Sequence, residues 1–464
     1  MKKRIVVLGG GISGYGSAIL AKKKGIDTFL SDMGKIADRF KARLDEWGVE
    51  YEEGQHTEEK ILSATEVVKS PGIPDTAPIV RKIREKGIPV ISEIEFAGRY
   101  KGVAKTICIT GSNGKTTTTS LIYKIMCDAG RSVALGGNIG ESFAYSVATG
   151  KYFWHVLELS SFQLDGMFKF RADVGVLMNI TPDHLDRYDY KMENYARSKM
   201  RITQNQTSAD AFIYSADDAE TQRMLDTMDD TLRARQLPFS INTAIASGAG
   251  DAILEGHTFT ATVGSRSVSI DTRKMKIEGM HNIYNAMAAA LATLAAGVEP
   301  RTIKRSIYDF SPVEHRLEPA GERDGIVWVN DSKATNVDSV WYALESMKRP
   351  TVWIAGGTDK GNDYTPLKEF ARKKVKALIC MGVDNEKLLR EFDGVVPIIR
   401  DCSSLDEAMR AARECAKSGD TVLLSPACAS FDLFRNYEER GRLFKAWVKE
   451  NILDKSFVDE INEQ

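Results

Sequence analysis

Short apolar runs alternate with longer charged segments along the whole chain. Runs such as RIVVL at residues 4–8 and TICIT at residues 106–110 are bounded by glycine or small polar residues, which is typical of buried strands. The longer segments between such runs look helical. This alternation favours parallel sheets with crossover helices, so the chain is predicted to be an α/β protein. Each strand ends in a polar cluster, at the edge where open α/β sheets bind ligands.

The length of 464 residues predicts about three domains, since a typical domain holds roughly 150 residues. We place the three domains at residues 1–95, 96–312 and 313–464. Two stretches are expected to lack regular structure. They are the polar segment from about Ser240 to Thr272 and the linker YDFSPVEHRLEP at residues 308–319, which contains two prolines.

Composition excludes several classes of protein. Hydrophobic residues make up 43% of the chain and charged residues 27%, and the net charge of -1 provides no broad basic field for nucleic acid. The six cysteines are scattered without a C-x-x-C pair, so we expect reduced thiols in the cytoplasm. The first apolar run is too short for a signal peptide, and no run approaches the roughly 20 apolar residues of a membrane span. We therefore expect a cytoplasmic protein without membrane insertion, and a monomer.

A glycine-rich turn follows the first predicted strand. In GGGISGYG, residues 9–16, the spacing G-x-G-x-x-G falls on Gly9, Gly11 and Gly14. Such a turn lets backbone N–H groups approach phosphate oxygens at the N-terminus of a helix. Asp32 closes the next apolar run, where dinucleotide-binding folds place an acid for a ribose hydroxyl. Taken alone, these features are those of a nicotinamide-dependent oxidoreductase.

A second glycine-rich loop changes that interpretation. TICITGSNGKTTTTS also stands between a predicted strand and a predicted helix, and residues 111–117 supply glycines, a lysine and hydroxyls that can cradle phosphates and bind Mg²⁺. The loop is shorter than a full P-loop, whose first glycine would fall at Ile109. It still indicates a nucleoside triphosphate site, so the central domain is predicted to be of the P-loop ATPase type. An oxidoreductase leaves this loop unexplained; an ATP-binding regulatory module without chemistry is a further alternative.

Nine motifs occur in the order found in the Mur ligases, and the chain resembles that family over nearly its whole length. They are TGSNGKTT, GGNIG, LELSSFQL, NITPDHLDRY, YARSKMRI, GMHNIYNA, HRLE, NDSKATN and LSPACASFD. The resemblance implies a Rossmann-like N-terminal domain that binds UDP, a central ATP-binding domain and a Rossmann-like C-terminal domain that binds an amino acid. Within the family the chain looks most like the members that add D-glutamate to UDP-N-acetylmuramoyl-L-alanine. Another Mur ligase or a folylpolyglutamate synthase-type ligase is the nearest alternative.

The resemblance implies an ATP-dependent amide ligase that works through an acyl phosphate in peptidoglycan precursor synthesis. The implied ATP contacts are Gly111, Ser112, Asn113, Gly114, Lys115, Thr116, Thr117, Asn282, Asn285, Arg316, Asp331 and Lys333. The implied catalytic residues are Lys115, Glu158, His184 and Lys199, and the last three, with Thr116, would hold two Mg²⁺ ions. Lys199 would carry a carbamate formed from CO₂. By themselves, Glu158 could be a solvated strand end, His184 a structural histidine and Lys199 part of a solvated helix face.

The resemblance also implies two substrate sites and no nicotinamide cofactor. The UDP-substrate would contact Gly11, Ser13, Asp32, Met33, Ser70, Asn138, Ser160, Gln163 and His184. D-Glutamate would contact Thr335, Lys360, Ser430 and Tyr437. Two positions depart from the family pattern, because Met33 stands where a hydroxyl residue is expected and Tyr437 where the pattern usually has phenylalanine.

Overall fold

The computed structural model describes residues 3–183, 185–228, 231–242, 251–311, 314–359 and 361–453. The described chain forms two compact units. One contains residues from 1–275 and 283–310, and the other contains residues from 276–282 and 311–464. The first unit holds two sheets and the second holds one. The α/β class predicted from the alternating pattern is confirmed.

The first sheet has five parallel strands in the order β3-β2-β1-β4-β5. A side chain at Gly14 would lie 1.7 Å from the carbonyl oxygen of Gly9, so only glycine permits the tight passage from the first strand into the first helix. The strands are β1 (Arg4–Leu8), β2 (Asp27–Asp32), β3 (Glu50–Glu53), β4 (Glu66–Lys69) and β5 (Val90–Ile91). The helices are α1 (Ile12–Lys23), α2 (Asp38–Glu46), α3 (Glu58–Leu62), α4 (Pro78–Glu85) and α5 (Glu93–Gly98).

The central sheet has nine strands in the order β14-β13-β12-β11-β10-β9-β6-β8-β7. Its strands are β6 (Lys105–Thr110), β7 (Val133–Gly137), β8 (Trp154–Glu158), β9 (Val174–Leu177), β10 (Ala211–Ser215), β11 (Arg235–Ser240), β12 (Ala252–Glu255), β13 (Thr258–Val263) and β14 (Arg266–Asp271). The helices that lie between β6 and β11 along the chain are α6 (Lys115–Asp128), α7 (Phe143–Thr149), α8 (Ser161–Asp165), α9 (Met192–Met200) and α10 (Ala219–Asp226). The alanine-rich α11 (Met280–Ala295) and α12 (Pro300–Asp309) follow the sheet.

The expectation of an irregular segment at residues 240–272 was wrong for its described part. Strands β12, β13 and β14 form an antiparallel meander there. Phe259 and Ala261 are buried, whereas the threonines on either side face outward, and Thr260 bonds to Ser269 on the next strand. The polar face consists of serine and threonine, which made the segment resemble a loop although it alternates with the period of a strand.

The third sheet has six strands in the order β15-β16-β20-β17-β18-β19, parallel except for the β15–β16 pair. Its strands are β15 (Glu318–Arg323), β16 (Ile326–Asn330), β17 (Thr351–Ala355), β18 (Val375–Met381), β19 (Ile399–Cys402) and β20 (Thr421–Leu424). Its helices are α13 (Val337–Ser346), α14 (Lys368–Lys374), α15 (Glu386–Phe392), α16 (Leu405–Cys415) and α17 (Tyr437–Val448). The predicted linker at 308–319 is shorter than expected, because α12 ends at Asp309 and β15 begins at Glu318.

Apolar side chains fill both faces of the third sheet, and one continuous core joins the helices of the first sheet to those of the central sheet. Ile5 and Val7 of β1 belong to that joint core, together with Phe143 of α7 and Leu157 of β8. None of the helices in the described part of the chain combines the length and the apolar composition that crossing a bilayer requires.

Candidate active site

The predicted phosphate-binding loop connects β6 to α6. Gly111 and Gly114 have φ angles of +145° and +82°, which favour glycine, and Gly114 is the N-cap of α6. The Nζ atom of Lys115 donates to the carbonyl oxygens of Gly111 at 2.7 Å and Ser112 at 2.8 Å. Thr116 and Thr117 are buried in the first turn of the helix. The loop therefore places backbone N–H groups and a cation at a helix N-terminus, which is an anion-binding arrangement.

The segment after β9 holds this loop in place. The backbone N–H groups of Ser112 and Asn113 donate to the carbonyl and side-chain oxygens of Asn179, and Ser112 Oγ exchanges two hydrogen bonds with the backbone of Thr181. Asp218 in turn accepts from the N–H of Ile180. Asn179, Thr181 and Asp218 did not emerge as site residues from the sequence. For the first two, the signal was a pair of polar residues on either side of Ile180, shortly after the apolar strand β9.

Glu158 is a buried carboxylate at the end of β8, next to β6 in the central sheet. Its Oε1 accepts from Asn138 Nδ2 at 2.9 Å, whereas its buried Oε2 has no hydrogen-bond partner among the residues that the structure describes. A solvated strand end is therefore the wrong interpretation of Glu158. A buried anionic oxygen without a donor is costly unless a cation neutralises it, so this carboxylate is suited to hold one.

Lys199 is also buried, which contradicts its alternative interpretation as part of a solvated helix face. It lies in α9 with 1% of its surface exposed, and its Nζ donates to the carbonyl oxygen of Gly111 at 2.8 Å. Lys115 Nζ contacts the same oxygen. Burial, assisted by the nearby charge of Lys115, holds the pKa of Lys199 well below its usual range. Its neighbour Arg197 instead forms an exposed ion pair with Glu193.

His184, the remaining predicted metal ligand, lies outside the described residues, as does Lys360.

Five of the nine predicted UDP-substrate residues lie at or shortly after the carboxyl ends of β1, β2 and β4: Gly11, Ser13, Asp32, Met33 and Ser70. Asp32 accepts from the backbone N–H of Gly10 at 2.5 Å and of Gly34 at 2.7 Å, so its carboxylate shapes the turn. A side chain at Gly9 would lie 2.6 Å from Ser70 Oγ, which places Ser70 against the same turn. Met33 is 62% exposed beside them. Gly11 is the N-cap of α1, and the carbonyl of Ser13 accepts from Ser17.

Ser160 and Gln163 form a capping box at the start of α8. Ser160 Oγ accepts from the N–H of Gln163, and Gln163 Oε1 accepts from the N–H of Ser160 at 2.9 Å. These groups satisfy the helix N-terminus. Both residues thus have a structural role that accounts for their polarity, and the substrate contact expected of them stays a prediction.

The two asparagines expected to contact adenine lie in α11. Asn285 is buried, and its Oδ1 accepts from Thr118 Oγ1 at 3.1 Å. A side chain at Gly114 would approach this same oxygen to 2.5 Å, so Asn285 lies directly against the phosphate-binding loop. Asn282, assigned to the other compact unit, donates to the carbonyl of Glu278 at 2.7 Å.

In the second unit, Asp331 follows β16 and is buried. Its carboxylate accepts from the N–H of Leu317 at 3.2 Å and from Ser425 Oγ at 2.8 Å, and burial raises its pKa to about 7. Arg316 precedes Leu317, and within the described ranges its buried Nε has no hydrogen-bond partner. Lys333 Nζ lies 5.2 Å from the ring centroid of Tyr437. Asp331 therefore fixes the loop that carries Arg316.

Three loops at the carboxyl edge of the third sheet are bonded to one another. The N–H of Ala427 donates to the carbonyl of Ala334, next to Thr335, and Thr358 pairs with Ala429, next to the buried Ser430. Asn362 Nδ2 donates to the carbonyl of Ala427 at 3.1 Å. Of the predicted D-glutamate residues, Thr335 and Ser430 thus come from loops that form one assembly, whereas Tyr437 begins α17.

Arg440 of α17 reinforces this assembly and gave no signal in the sequence. Its side chain is fully buried, and its guanidinium donates to Oγ and the carbonyl of Ser332 and to the carbonyl of Cys428. Burial lowers its pKa to about 10, with the cation retained at neutral pH. Arg440 thereby connects the loop after β16 with the loop after β20.

Three family models match the chain in succession. They are "Mur ligase MurD-like, N-terminal domain" over residues 3–92, "Mur ligase middle domain" over residues 109–293, and "Mur ligase, glutamate ligase domain" over residues 315–428.

Relatives named UDP-N-acetylmuramoylalanine--D-glutamate ligase match nearly the full length. The one from Bacteroides fragilis is 55% identical over 449 residues, which are 97% of this chain and 100% of the relative. The one from Christiangramia forsetii is 50% identical with the same coverages. Among solved structures, UDP-N-acetylmuramate-alanine ligase from Thermotoga maritima aligns with a TM-score of 0.62 at 17% identity, covering 97% of this chain and 99% of that one, a likeness of fold.

Proposed function

The chain belongs to the Mur ligase family, and from this membership and the geometry of its site we propose that it joins D-glutamate to UDP-N-acetylmuramoyl-L-alanine. It is an ATP-dependent ligase of peptidoglycan precursor synthesis. The structural observation that carries the proposal is the pairing of a phosphate-binding loop with two buried groups, the Glu158 carboxylate and the Lys199 amine. A nicotinamide-dependent oxidoreductase would need neither of these groups, and that alternative is set aside.

We assign residues 1–95 to UDP binding, 96–312 to ATP binding and 313–464 to amino-acid binding. The assignment is supported by the separate sheets that fall within these ranges and by the three family models. Residues 276–282 belong to the second compact unit. The range assigned to ATP binding therefore includes a short segment that packs with the range assigned to amino-acid binding.

For ATP we propose contacts from the loop of residues 111–117, from Asn285 and Asn282, and from Arg316, Asp331 and Lys333. The reaction requires the terminal phosphoryl group to pass from ATP to the substrate carboxylate, giving ADP and an acyl phosphate. Catalysis of such a transfer depends mainly on positioning and on positive charge. Lys115 and the N-terminus of α6 supply that charge. The amine of D-glutamate then attacks the acyl carbon, the amide bond forms, and inorganic phosphate leaves.

Magnesium fits the residues of the loop region. Glu158 offers a buried oxygen that lacks a donor in the described part of the chain, and oxygen donors are what Mg²⁺ prefers. We propose that Thr116 and Glu158 hold one ion, and that a second is held with His184 and a modified Lys199. When bound, the ions neutralise charge on the phosphates and the substrate carboxylate.

We propose that Lys199 is carbamylated. An uncharged amine can add to CO₂, with a new N–C bond and release of one proton, and the product is an anion. Support comes from the burial of Lys199, its lowered pKa and its position beside Lys115 on a shared carbonyl oxygen. The modification would replace repulsion between two cations by attraction between an anion and a cation.

For the UDP-substrate we propose contacts from the turn of the first sheet, through Gly11, Ser13, Asp32, Met33 and Ser70. Because the side chain of Met33 has no hydroxyl, a polar contact with uracil at that position would come from its backbone.

We propose that the muramoyl part of the substrate lies near Asn138, Ser160, Gln163 and His184. For D-glutamate we propose Thr335, Lys360, Ser430 and Tyr437. The linked loops of the third sheet support Thr335 and Ser430, because they would present both hydroxyl groups from one assembly.

The decisive assay measures phosphate release from ATP with UDP-N-acetylmuramoyl-L-alanine and one amino acid at a time. We expect turnover with D-glutamate and none with L-glutamate, L-alanine, D-alanine or meso-diaminopimelate. Turnover with one of the others would assign the chain to a different Mur ligase activity. Omission of Mg²⁺ should abolish the reaction.

We further propose a cytoplasmic monomer that acts, through the cell wall, on cell shape and division. A molar mass near 51.4 kDa by light scattering would support the monomer, and twice that mass would contradict it.

A further inference from the structure

Helices α1 and α7 make a close contact between the first sheet and the central sheet. A side chain at Gly16 would lie 1.9 Å from Ser142 Oγ, so only glycine lets the two helices approach this far. Ser142 is the N-cap of α7 and also donates to Glu93, and at the other end of the contact Lys23 donates to the carbonyl of Ala148. The start of α7 is therefore fixed by residues of the first domain.

Glu141, the residue before Ser142, forms a network with Tyr15 of α1 and Arg43 of α2. We name these three residues the Glu141 cluster. Tyr15 OH donates to Glu141 Oε1, and Arg43 Nη1 donates to Glu141 Oε2 at 3.0 Å and to Tyr15 OH at 2.6 Å. The Tyr15 ring is buried and stacks on Phe40. Both oxygens of the Glu141 carboxylate are thus bonded to helices of the first domain.

Glu141 ends a tight turn that begins at Gly136, and the middle of that turn contacts Glu158. The N–H of Asn138 donates to the carbonyl of Glu158 at 2.8 Å, while its Nδ2 donates to the carboxylate at 2.9 Å. Gly137 and Gly140 have φ angles of +93° and +72°, so the turn is compact. Asn138 is only three residues from Glu141, and a shift at one end of so short a turn is transmitted to its centre.

From these contacts we propose that Glu141 is a positioning residue: through Tyr15 and Arg43, the UDP-binding domain fixes the turn that presents Asn138 to Glu158. The inference rests on the proposed function for its effect on catalysis. Arg43 and Glu141 are each 39% exposed, and half-exposed ion pairs add little to stability. The effect of the cluster should therefore appear in the geometry of the turn and in substrate use more than in the melting temperature.

The kinetic test compares Glu141→Gln and Tyr15→Phe with Glu369→Gln, which removes an exposed ion pair with Lys373 on α14. We expect the two cluster variants to lose about tenfold in kcat/KM for UDP-N-acetylmuramoyl-L-alanine, in line with losses at residues that orient a metal ligand. The KM for ATP should stay within about twofold, and the double variant should be no worse than Glu141→Gln alone, because both changes break one network. If kcat/KM decreased equally for ATP and for the UDP-substrate, and the melting temperature decreased in parallel, the cluster would have only a structural role.

A second measurement does not depend on the identity of the substrate. Hydrogen exchange followed by mass spectrometry should show faster exchange in the peptide spanning residues 136–142 of Glu141→Gln, and no change there in Glu369→Gln. Unchanged exchange in the turn would overturn the positioning role even if the wild-type enzyme uses D-glutamate. Faster exchange in an enzyme that does not use D-glutamate would preserve the positioning role and reject the proposed function.

Discussion

Replacement of Lys199 is the sharpest test of the site. Lys199→Ala removes a buried amine whose Nζ shares the carbonyl oxygen of Gly111 with Lys115. Two unit charges about 5 Å apart repel by roughly 3 kcal/mol at an effective dielectric constant of about 20. Such repulsion lowers the pKa of the Lys199 amine in the same direction as burial, so the amine is disposed to lose its proton and react with CO₂. A carbamate would change the sign of this interaction.

The variant should therefore lose activity far more than stability. We expect a decrease in kcat of about 10²- to 10³-fold, the magnitude seen when one preorganised electrostatic group is removed from an active site. The variant loses the hydrogen bond of the Lys199 amine, but it also loses the free-energy cost of burying that amine. The net change in the free energy of unfolding should therefore be small. Phosphate release gives kcat, and thermal unfolding gives stability.

The matched control is Arg197→Ala, which removes an exposed cation two residues away on the same helix. It should keep near wild-type turnover. Formate or acetate should restore part of the activity of Lys199→Ala, because a small carboxylate can occupy the place of the carbamate, and should not stimulate the control. Unchanged turnover in Lys199→Ala would refute the reasoning, as would the absence of a carbamate signal in wild-type enzyme labelled with ¹³C-bicarbonate.

Three further predictions concern other groups of the site. Glu158→Gln should lower kcat by about 100-fold or more with stability unchanged or higher, since its buried carboxylate oxygen Oε2 lacks a donor within the described residues and is costly to bury; equal activity would contradict the metal role. Gly114 has a φ angle of +82° and lies against Asn285, so Gly114→Ala should introduce roughly 1–2 kcal/mol of backbone strain. This strain should raise the KM for ATP about 5- to 30-fold. A KM within twofold of wild type would argue against the strain. Because the pKa of Asp331 is raised to about 7 in the folded state, its contribution to stability is present below about pH 4 and is lost as the pH rises to 7. Wild-type stability measured by urea unfolding should thus fall between about pH 4 and pH 7 by an amount that Asp331→Asn lacks, and identical pH profiles would show that Asp331 does not titrate there.

Local patterns were sufficient to predict much of the fold and the centre of the site. Both glycine turns were recognisable because the residues that a phosphate needs are contiguous, between a strand and a helix. The meander β12–β14 was missed because its polar face is built from serine and threonine, and its alternation was taken for a loop. Helices and strands were therefore predictable wherever they contained enough apolar residues to differ in composition from a loop.

The environment of single side chains could not be predicted in this way. Lys199 is flanked by Arg197 and Arg201, so composition indicated a solvated face, yet its amine is buried against the Gly111 carbonyl 88 residues earlier in the chain. Likewise, Glu141 bonds to Tyr15 across 126 positions. Burial and long-range partners are set by packing between elements, which has no local period along the sequence.

Two groups that hold the site together share one physical property, and their bonding partners could not be predicted from the sequence. Asp331 and Arg440 are buried ionisable side chains whose bonds go mainly to the backbone or hydroxyl of another loop. Burying such groups costs free energy, and a well-packed apolar replacement can be as stable, so stability alone does not account for them. What an apolar residue cannot do is fix the orientation of a particular carbonyl or N–H group. In a ligase whose chemistry depends on placing phosphates, carboxylates and an amine within one site, that orientation of loops is what these buried polar groups provide.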